Sequence, residues 1–314
     1  MPHRIAIIGI GKIAQDQHLP VIAKNPNFEL AAVVSQRGVG VPGVPTFRAP
    51  SEMYRAVSNL DAVSVCTPPA VRHRIAREAL GQGKHVLIEK PPAPTVSELF
   101  DLAAEARKRK RVLFATWHSQ FNAAVAEAKK QLAGAAIQSL DIQWKEDVRH
   151  WHPGQEWVWQ PGGFGVFDPG INALSIVTRI MPEPILLHSA DLFFPKNCHT
   201  PIAASLAFKL ANGAAAKLSA ELDWRQTGEQ TWDITIALAG GRVFKLVKGG
   251  SKLVIDDQII VEERPAEYEA IYERFDEILR SGTSDVDSAP LELVADAFML
   301  GRRIAVDEFH EQAG

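Results

Sequence analysis

The sequence predicts an α/β protein in which a doubly wound parallel sheet is followed by an α+β domain with a large open, mainly antiparallel sheet. Three observations lead to this prediction. A glycine-rich turn follows the first apolar segment directly, at residues 9–14. Short apolar segments then alternate with helical patterns as far as residue 118, whereas alternating apolar and polar residues dominate the second half. Strands that alternate with helices indicate a parallel sheet, so we predict domains at residues 1–118 and 119–314.

Length and composition are those of an ordinary globular protein. The 314 residues are 46% hydrophobic and 23% charged, and the net charge of -3 gives no reason to expect nucleic acid or an anionic membrane as a partner. No apolar segment approaches the roughly 20 residues of a membrane span. Cys66 and Cys198 are too few for a disulfide framework, so we expect free thiols in a reducing cytoplasm. Because the first residues enter a predicted strand directly, we expect no signal peptide.

The first element is an apolar strand at residues 4–8, and it is followed by the sequence G-I-G-K-I-A. Gly9, Gly11 and Ala14 fill the three positions of the dinucleotide-binding fingerprint of a Rossmann sheet. The first glycine permits a tight turn, the second lets a pyrophosphate approach the backbone, and the amides of the helix start face the anion. A plain strand–helix turn is the alternative, but the position between the first strand and a helix favours a cofactor site.

The second strand, at residues 30–34, ends in Ser35-Gln36-Arg37. Enzymes selective for NAD usually carry Asp or Glu here, where it binds the ribose 2′-hydroxyl. This chain has neither; Ser35 offers a hydroxyl, and the guanidinium of Arg37 suits a 2′-phosphate. We therefore expect NADP to be accepted, and preferred, alongside NAD. The alternative is that Arg37 is only a solvated loop residue.

The alternation continues through the rest of the first domain. Predicted strands lie at residues 62–65, 86–88 and 112–116, and predicted helices at residues 53–57, 72–82 and 95–110. The strand at 86–88 ends in Glu89-Lys90-Pro91, where the proline fixes a non-helical corner. A lysine at the carboxyl end of a parallel strand lies where such sheets bind ligands. We therefore favour a functional role for Lys90 over a surface turn.

The second domain begins with a predicted helix at residues 123–132, which leads to a predicted strand at residues 139–146. A segment rich in aromatic residues begins near the end of this strand. Four of the seven tryptophans lie between residues 144 and 159, beside His, Glu and Arg side chains. Flat rings stack on the apolar face of a sugar while polar groups hold its hydroxyls, so this segment predicts a sugar-binding wall. A loop packed on its own aromatics is the alternative. The histidines here fit no zinc pattern, so we expect no metal.

A further motif is G-G-F-G-V-F-D-P-G-I-N, in which Pro169 is expected to begin a helix that extends to residue 181, with Asp168 as its cap. Asp168 and Asn172 are four residues apart, so they share one side of that helix. Predicted strands follow at residues 202–210, 214–222, 231–238, 243–247 and 253–255. A helix is expected from residue 266, and a last helix at about 290–306 is expected to pack back on the first domain.

Three motifs together resemble the glucose–fructose oxidoreductase/inositol dehydrogenase (Gfo/Idh/MocA) family: G-I-G-K-I-A, E-K-P-P and G-G-x-x-x-x-D-x-G, in this order over essentially the whole chain. The segments F-A-T-W-H-S, W-K-E-D-V-R-H-W-H-P-G-Q and G-V-F-D-P-G-I-N-A-L-S-I-V are most similar to its bacterial L-arabinose/D-galactose 1-dehydrogenase group. Many family members have a histidine four residues after the aspartate. Here it is Asn172, which cannot exchange a proton near neutral pH.

The resemblance implies NAD(P)-dependent oxidation of an unphosphorylated aldose, L-arabinose or D-galactose, at C1 to the lactone. It implies Lys90, Asp168 and Asn172 as catalytic residues, with the proton taken by Lys90 or Asp168. The implied cofactor-binding residues are Gly9, Gly11, Lys12, Ile13, Ser35, Gln36, Arg37, Thr67, Pro68, His73, Glu89 and Lys90. The implied substrate-binding residues are His118, Glu146, His150, Trp151, His152, Asp168, Asn172 and Trp232.

Two alternatives remain open at this point. One is another oxidoreductase of the family, acting on an inositol, another polyol or a non-sugar. The other is a non-catalytic NADP-sensing regulator on the same fold, against which the presence of both Lys90 and Asp168 argues. A small sugar is the expected partner, with a homo-oligomer possible.

Overall fold

The computed structural model describes residues 1–311, and the chain divides into two compact units. The first unit contains Met1–His118 and Tyr268–Ser288, and the second contains Ser119–Glu267 and the residues from Ala289 onward. The expectation had placed the last helix with the first domain. In the structure, the segment that returns to the first unit is the preceding one, from Tyr268 onward.

The strands form one parallel and one mixed sheet. The first unit contains β1 (His3–Ile8), β2 (Phe28–Val34), β3 (Thr46–Phe47), β4 (Ala62–Val65), β5 (His85–Glu89) and β6 (Leu113–Thr116). The second unit contains β7 (Ile137–Lys145), β8 (Ile185–Pro195), β9 (Ala203–Leu210), β10 (Lys217–Asp223), β11 (Thr231–Leu238), β12 (Val243–Val247), β13 (Lys252–Ile255), β14 (Gln258–Glu262) and β15 (Arg302–Val306). The predicted fold class is confirmed.

The helices lie between these strands in chain order. They are α1 (Leu19–Lys24), α2 (Pro50–Ala56), α3 (Pro69–Gly81), α4 (Val96–Arg109), α5 (Ala123–Leu132), α6 (Val148–Trp151), α7 (Phe167–Ile180), α8 (Glu267–Ser281) and α9 (Ala289–Leu300). A π-helical turn, Ala14–His18, precedes α1. Within residues 1–311 no helix is long and apolar enough to cross a membrane.

The parallel sheet has the order β3-β2-β1-β4-β5-β6, and its register aligns the carboxyl ends of its central strands. Ile8 pairs with both Val34 and Val65, and Val65 pairs with Ile88. These four residues are buried, as are their apolar neighbours on the same strands. The residues that follow each strand therefore emerge side by side at one edge of the sheet, and the predicted cofactor motifs lie at this edge.

The mixed sheet has the order β14-β13-β12-β11-β7-β10-β9-β8-β15 and is mainly antiparallel, with parallel pairs at β7–β10 and β8–β15. The strands β3, β8, β14 and β15 were not predicted. Residues 302–306 were expected to be helical, but the helix ends at Leu300. A Cβ at Gly301 would lie 2.4 Å from the Ala297 oxygen, so glycine permits the close turn there. The chain then pairs with β8, where Arg302 binds Asp191.

The start of α7 also differs from the prediction. Asp168 does not cap this helix, because the helix begins at Phe167 and Val166 already has helical dihedral angles. The side chains of Val166 and Phe167 are fully buried, and their packing starts the helix two residues before the expected first residue, Pro169. Pro169 is tolerated as the third residue, because the first-turn amides have no intrahelical partner.

Candidate active site

The glycine-rich turn brings the ends of β1 and β4 close together. Gly9 has a φ of 98°, and a Cβ at this position would lie 2.9 Å from Cγ2 of Thr67 and 3.0 Å from the carbonyl carbon of Cys66. Only glycine accommodates both the dihedral angle and the contact. In contrast, a Cβ at Gly11 would have no atom within 4 Å, so the backbone there faces open space.

These features fit a bound dinucleotide. The open backbone at Gly11 can be approached by a pyrophosphate, and the helical segment that begins with Lys12 and Ile13 presents its first amides there. Oγ1 of Thr67 is buried and has no hydrogen-bond partner among the described residues. Buried hydroxyls are almost always paired, so this atom indicates a ligand group. Pro68 follows Thr67 and directly precedes α3.

The end of β2 carries the predicted ribose site. The hydroxyl of Ser35 is buried and accepts a hydrogen bond from the Val39 amide at 3.1 Å, which leaves its proton available to a ligand. Arg37 is exposed. Arg48, which the sequence analysis did not single out, donates from Nη1 to the carbonyl of Gln36 at 3.1 Å. Two guanidinium groups therefore lie on this turn, and the second comes from beyond β3, where no sequence motif marked it.

Two further polar residues lie on α3. Arg72, buried and not predicted, donates from Nε to the carbonyl of Thr67 at 2.7 Å and from Nη1 to the carbonyls of Glu89 and Pro91. It ties the end of β4 to the segment around Lys90. His73 lies 2.7 Å from Asp101 of α4 through Nε2. This contact links α3 to α4. The role of His73 in cofactor binding stays a prediction.

Lys90 follows β5 and is half-buried. Its backbone amide donates to Oε2 of Glu89 at 3.1 Å. The other carboxylate oxygen of Glu89 accepts from Nε2 of His18 at 3.0 Å and from the hydroxyl of Tyr268 at 2.9 Å. The ring of Tyr268 in turn stacks on His118, with centroids 5.9 Å apart. His18 and Tyr268 were not predicted as site residues. His18 lies in the π-helical turn before α1, where no motif marked it, and Tyr268 lies 178 residues further along the chain than Lys90.

The second unit holds the predicted catalytic carboxylate. Asp168 is 4% exposed in the first turn of α7, where the helix dipole stabilises a negative charge. Its Oδ2 lies 3.3 Å from Nε2 of His152. Asn172 follows one helical turn later and is half-buried. The structure thus brings together Asp168 and His152, which come from two separate motifs of the sequence.

An aromatic cluster surrounds this pair. The ring of His152 lies 5.2 Å from that of Trp224, which also contacts Trp159 at 5.3 Å. Trp151 contacts Trp232 with ring centroids 5.7 Å apart, and the rings of His150 and Trp151 are perpendicular with centroids 4.8 Å apart. Trp224 was not predicted, because it lies after β10, 65 residues from the tryptophan-rich segment. The aromatic cluster therefore includes rings from three separate parts of the chain, and its role as a sugar-binding wall stays a prediction.

Glu146 organises two of these indoles. Its two carboxylate oxygens accept hydrogen bonds from Nε1 of Trp224 and Nε1 of Trp232, each at 3.0 Å. The side chain is buried, with 7% exposed. Glu146 is thereby explained as an anchor of the aromatic cluster, and its predicted contact with a sugar stays a prediction. Within residues 1–311, no three His, Cys, Asp or Glu side chains are grouped to hold a metal ion.

Comparison with known proteins gives a consistent result. The model of the Gfo/Idh/MocA oxidoreductase family, with its NAD-binding Rossmann fold, matches residues 3–116. Galactose 1-dehydrogenase of Pseudomonas fluorescens is 43% identical over 312 residues, which cover 99% of both chains. The crystal structure of a D-galactose-1-dehydrogenase from Rhizobium etli is 52% identical over 98% of both chains and superposes with a TM-score of 0.93.

A more distant structure shares the fold alone. A mutant of KijD10, a 3-ketoreductase from Actinomadura kijaniata, in complex with NADP and TDP-benzene is 18% identical and superposes with a TM-score of 0.84. The match covers 98% of this chain and 100% of that one.

Proposed function

The chain belongs to the Gfo/Idh/MocA family of NAD-binding oxidoreductases, and from this membership we propose that it is an NAD(P)-dependent aldose 1-dehydrogenase. Its substrates are unphosphorylated D-galactose and L-arabinose, which it oxidises at C1 to the lactones. One observation carries the substrate class: the identities of 43% and 52% to two galactose 1-dehydrogenases extend over nearly the whole chain. Both units are therefore related to those enzymes.

The cofactor is held by the edge of the parallel sheet. Gly9 and Gly11 provide the tight turn and the open backbone for the pyrophosphate, and Thr67 supplies a buried hydroxyl. Ser35 and Arg37, with no carboxylate at the end of β2, favour NADP over NAD. A bound NAD(P) would supply the hydride acceptor for C1 of the sugar.

The second unit supplies the sugar site. The aromatic cluster offers flat faces for the apolar side of a pyranose, while Asp168, Asn172 and His152 offer polar groups for its hydroxyls. The carboxylate of Asp168 is buried and held by His152, so it points in a fixed direction. This combination of a fixed carboxylate with aromatic rings supports an unphosphorylated sugar as the substrate.

The remaining step is removal of the proton from the C1 hydroxyl. As the C1–H bond breaks, the O–H electrons form the carbonyl of the lactone, and the proton passes to a base on the enzyme. The two titratable candidates for this base are Lys90 and Asp168. Asn172 orients the sugar, because an amide cannot exchange the proton.

The test is the absorbance of the reduced cofactor, followed with NADP or NAD and a panel of sugars. Rapid reduction with D-galactose or L-arabinose is the expected result. Reduction with an inositol or another polyol, but not with aldoses, would point to a different member of the family. Cofactor binding without turnover on any substrate would indicate a regulator and would contradict the proposal.

A further inference from the structure

Glu89 is almost fully buried, although it directly precedes the lysine at the end of β5. It is 2% exposed, and three donors converge on its carboxylate. His18 and Tyr268 donate to one oxygen, at 3.0 and 2.9 Å, and the backbone amide of Lys90 donates to the other at 3.1 Å. One oxygen therefore binds side chains of the protein interior, and the other binds the backbone of Lys90.

We propose that His18 and Tyr268 are positioning residues that act through Glu89: they fix the carboxylate, and the carboxylate fixes the backbone of Lys90. This inference rests on the proposed role of Lys90 in removing the proton of the substrate. Neither residue is proposed to touch the substrate. They act by fixing the position of the Lys90 backbone, from which the lysine side chain extends.

The first support is that the carboxylate needs both partners to stay in place. A buried carboxylate without a counter-charge is strongly unfavourable, and His18 supplies that charge from a completely buried position. Burial by itself would lower the pKa of His18, but Cys66, Tyr272 and Glu89 raise it well above its usual value. Burial by itself would raise the pKa of Glu89. The hydrogen bond and charge of His18, together with the charges of His118 and Arg72, lower this pKa to about 2.

The second support is that His18 itself is held on its other side. Its Nδ1 lies 2.9 Å from the hydroxyl of Tyr272 and 3.2 Å from that of Ser64. The ring also meets the rings of Tyr268 and Tyr272 edge-on, at 5.0 and 5.8 Å. The imidazole therefore has one orientation, in which only Nε2 can reach Glu89.

The third support is that the main chain on both sides of Lys90 is held as well. Arg72 binds the carbonyls of Glu89 and Pro91, which precede and follow the lysine. Together with the bond from the Lys90 amide to the Glu89 carboxylate, these contacts leave the lysine backbone little freedom. Displacing a reactive group by about 1 Å can cost about 10²-fold in rate, so such fixing has a kinetic value.

The first experiment compares His18→Gln with His18→Asn. The amide of Gln reaches the position of Nε2 and can still donate to Glu89, whereas that of Asn reaches only the position of Nδ1. With D-galactose and NADP, we expect kcat to fall by about 10²-fold in H18N and by less than about tenfold in H18Q. The KM for the sugar and the Kd for NADP should stay near wild type in both variants.

The second experiment compares two tyrosines whose hydroxyls are both buried. Tyr268→Phe removes a hydroxyl from Glu89, whereas Tyr54→Phe, on α2, removes a hydroxyl that has no hydrogen-bond partner among the described residues. We expect kcat to fall about tenfold in Y268F and to stay within about threefold of wild type in Y54F. Melting temperatures establish whether each variant folds, and this pair decides the question if H18N does not fold.

Equal kcat values in Y268F and Y54F would overturn the inference, as would equal values in folded H18N and H18Q. A fall in kcat that follows the melting temperature across all four variants would also overturn it, because it would indicate a purely structural role. Lys90→Met separates this failure from that of the proposed function. If K90M retains wild-type turnover, the assignment of the proton step is wrong; if only K90M is impaired, the positioning inference alone is wrong.

Discussion

Nε2 of His152 lies 3.3 Å from Oδ2 of Asp168, in the first turn of α7. The contact links the aromatic segment around residue 150 to the Asp168 motif, two parts of the sequence that the motif analysis treated separately. It also gives the buried carboxylate a fixed direction. The side chain of His152 is 20% exposed, so a ligand can reach this pair from solvent.

Loss of the histidine should disturb the carboxylate. We expect His152→Phe to lower kcat with D-galactose by about tenfold, because the ring keeps its packing on Trp224 but has no nitrogen to contact the carboxylate of Asp168. His152→Gln should recover part of the loss. His188→Gln, at an exposed position of β8, is the control and should stay within about twofold. Wild-type kcat in H152F would show that the contact has no role in turnover.

The proton step should depend on both titratable candidates. Lys90→Met and Asp168→Asn are each expected to lower kcat by about 10²-fold or more, because each removes a group that can accept or help to accept the proton. Stopped-flow measurement of cofactor reduction in single turnovers separates this step from product release. Near wild-type rates in both variants would show that neither residue takes part.

Cofactor choice should depend on the turn after β2. Arg37→Ala and Arg48→Ala should each lower kcat/KM for NADP by about tenfold, because each removes a cation that can bind the 2′-phosphate. Values for NAD should change little, which makes NAD the internal control. Unchanged efficiency with NADP in R37A would show that this arginine is only a solvated loop residue.

The buried pair of His18 and Glu89 should make stability depend on pH. The folded state lowers the pKa of Glu89 from 4.5 to about 2, so its contribution is complete above pH 4.5 and is lost as the pH falls toward 2. For His18 the pKa is raised from 6.5, so its contribution is complete below pH 6.5 and is lost as the pH rises through the raised value.

Denaturant unfolding of wild type and Glu89→Gln measures this dependence. Wild type should be more stable by about 3 kcal/mol between pH 4.5 and 6.5, and the difference should narrow as the pH falls below 4.5. A difference that is constant below pH 4.5 would mean that Glu89 is not ionised in the folded protein.

The sequence predicted the fold well where a pattern is local. Strands such as residues 231–238 and 243–247 alternate regularly and were predicted with the bounds that the structure shows. The strand β15 was missed because its pairing with β8, 111 residues away, decides its conformation more than its own pattern does. The start of α7 was misplaced because the burial of Val166 and Phe167 outweighed a local capping signal.

The same distinction holds at the candidate site. The motifs around Gly9, Lys90 and Asp168 were found because each lies within a few residues of a strand end or a helix start. Tyr268 and Trp224 were missed because each is distant along the chain from the glutamate whose carboxylate it binds. A buried glutamate predicts that donors exist, but only the folded chain shows which residues supply them.

The most direct test of the central claim is the fate of the hydrogen at C1. D-Galactose carrying deuterium at C1 is incubated with the enzyme and NADP, and the reduced cofactor and the sugar product are analysed by mass spectrometry. We predict that the deuterium appears in the reduced cofactor and that the sugar becomes an unlabelled lactone. Reduced cofactor without deuterium, or an oxidised sugar that retains it, would contradict oxidation at C1.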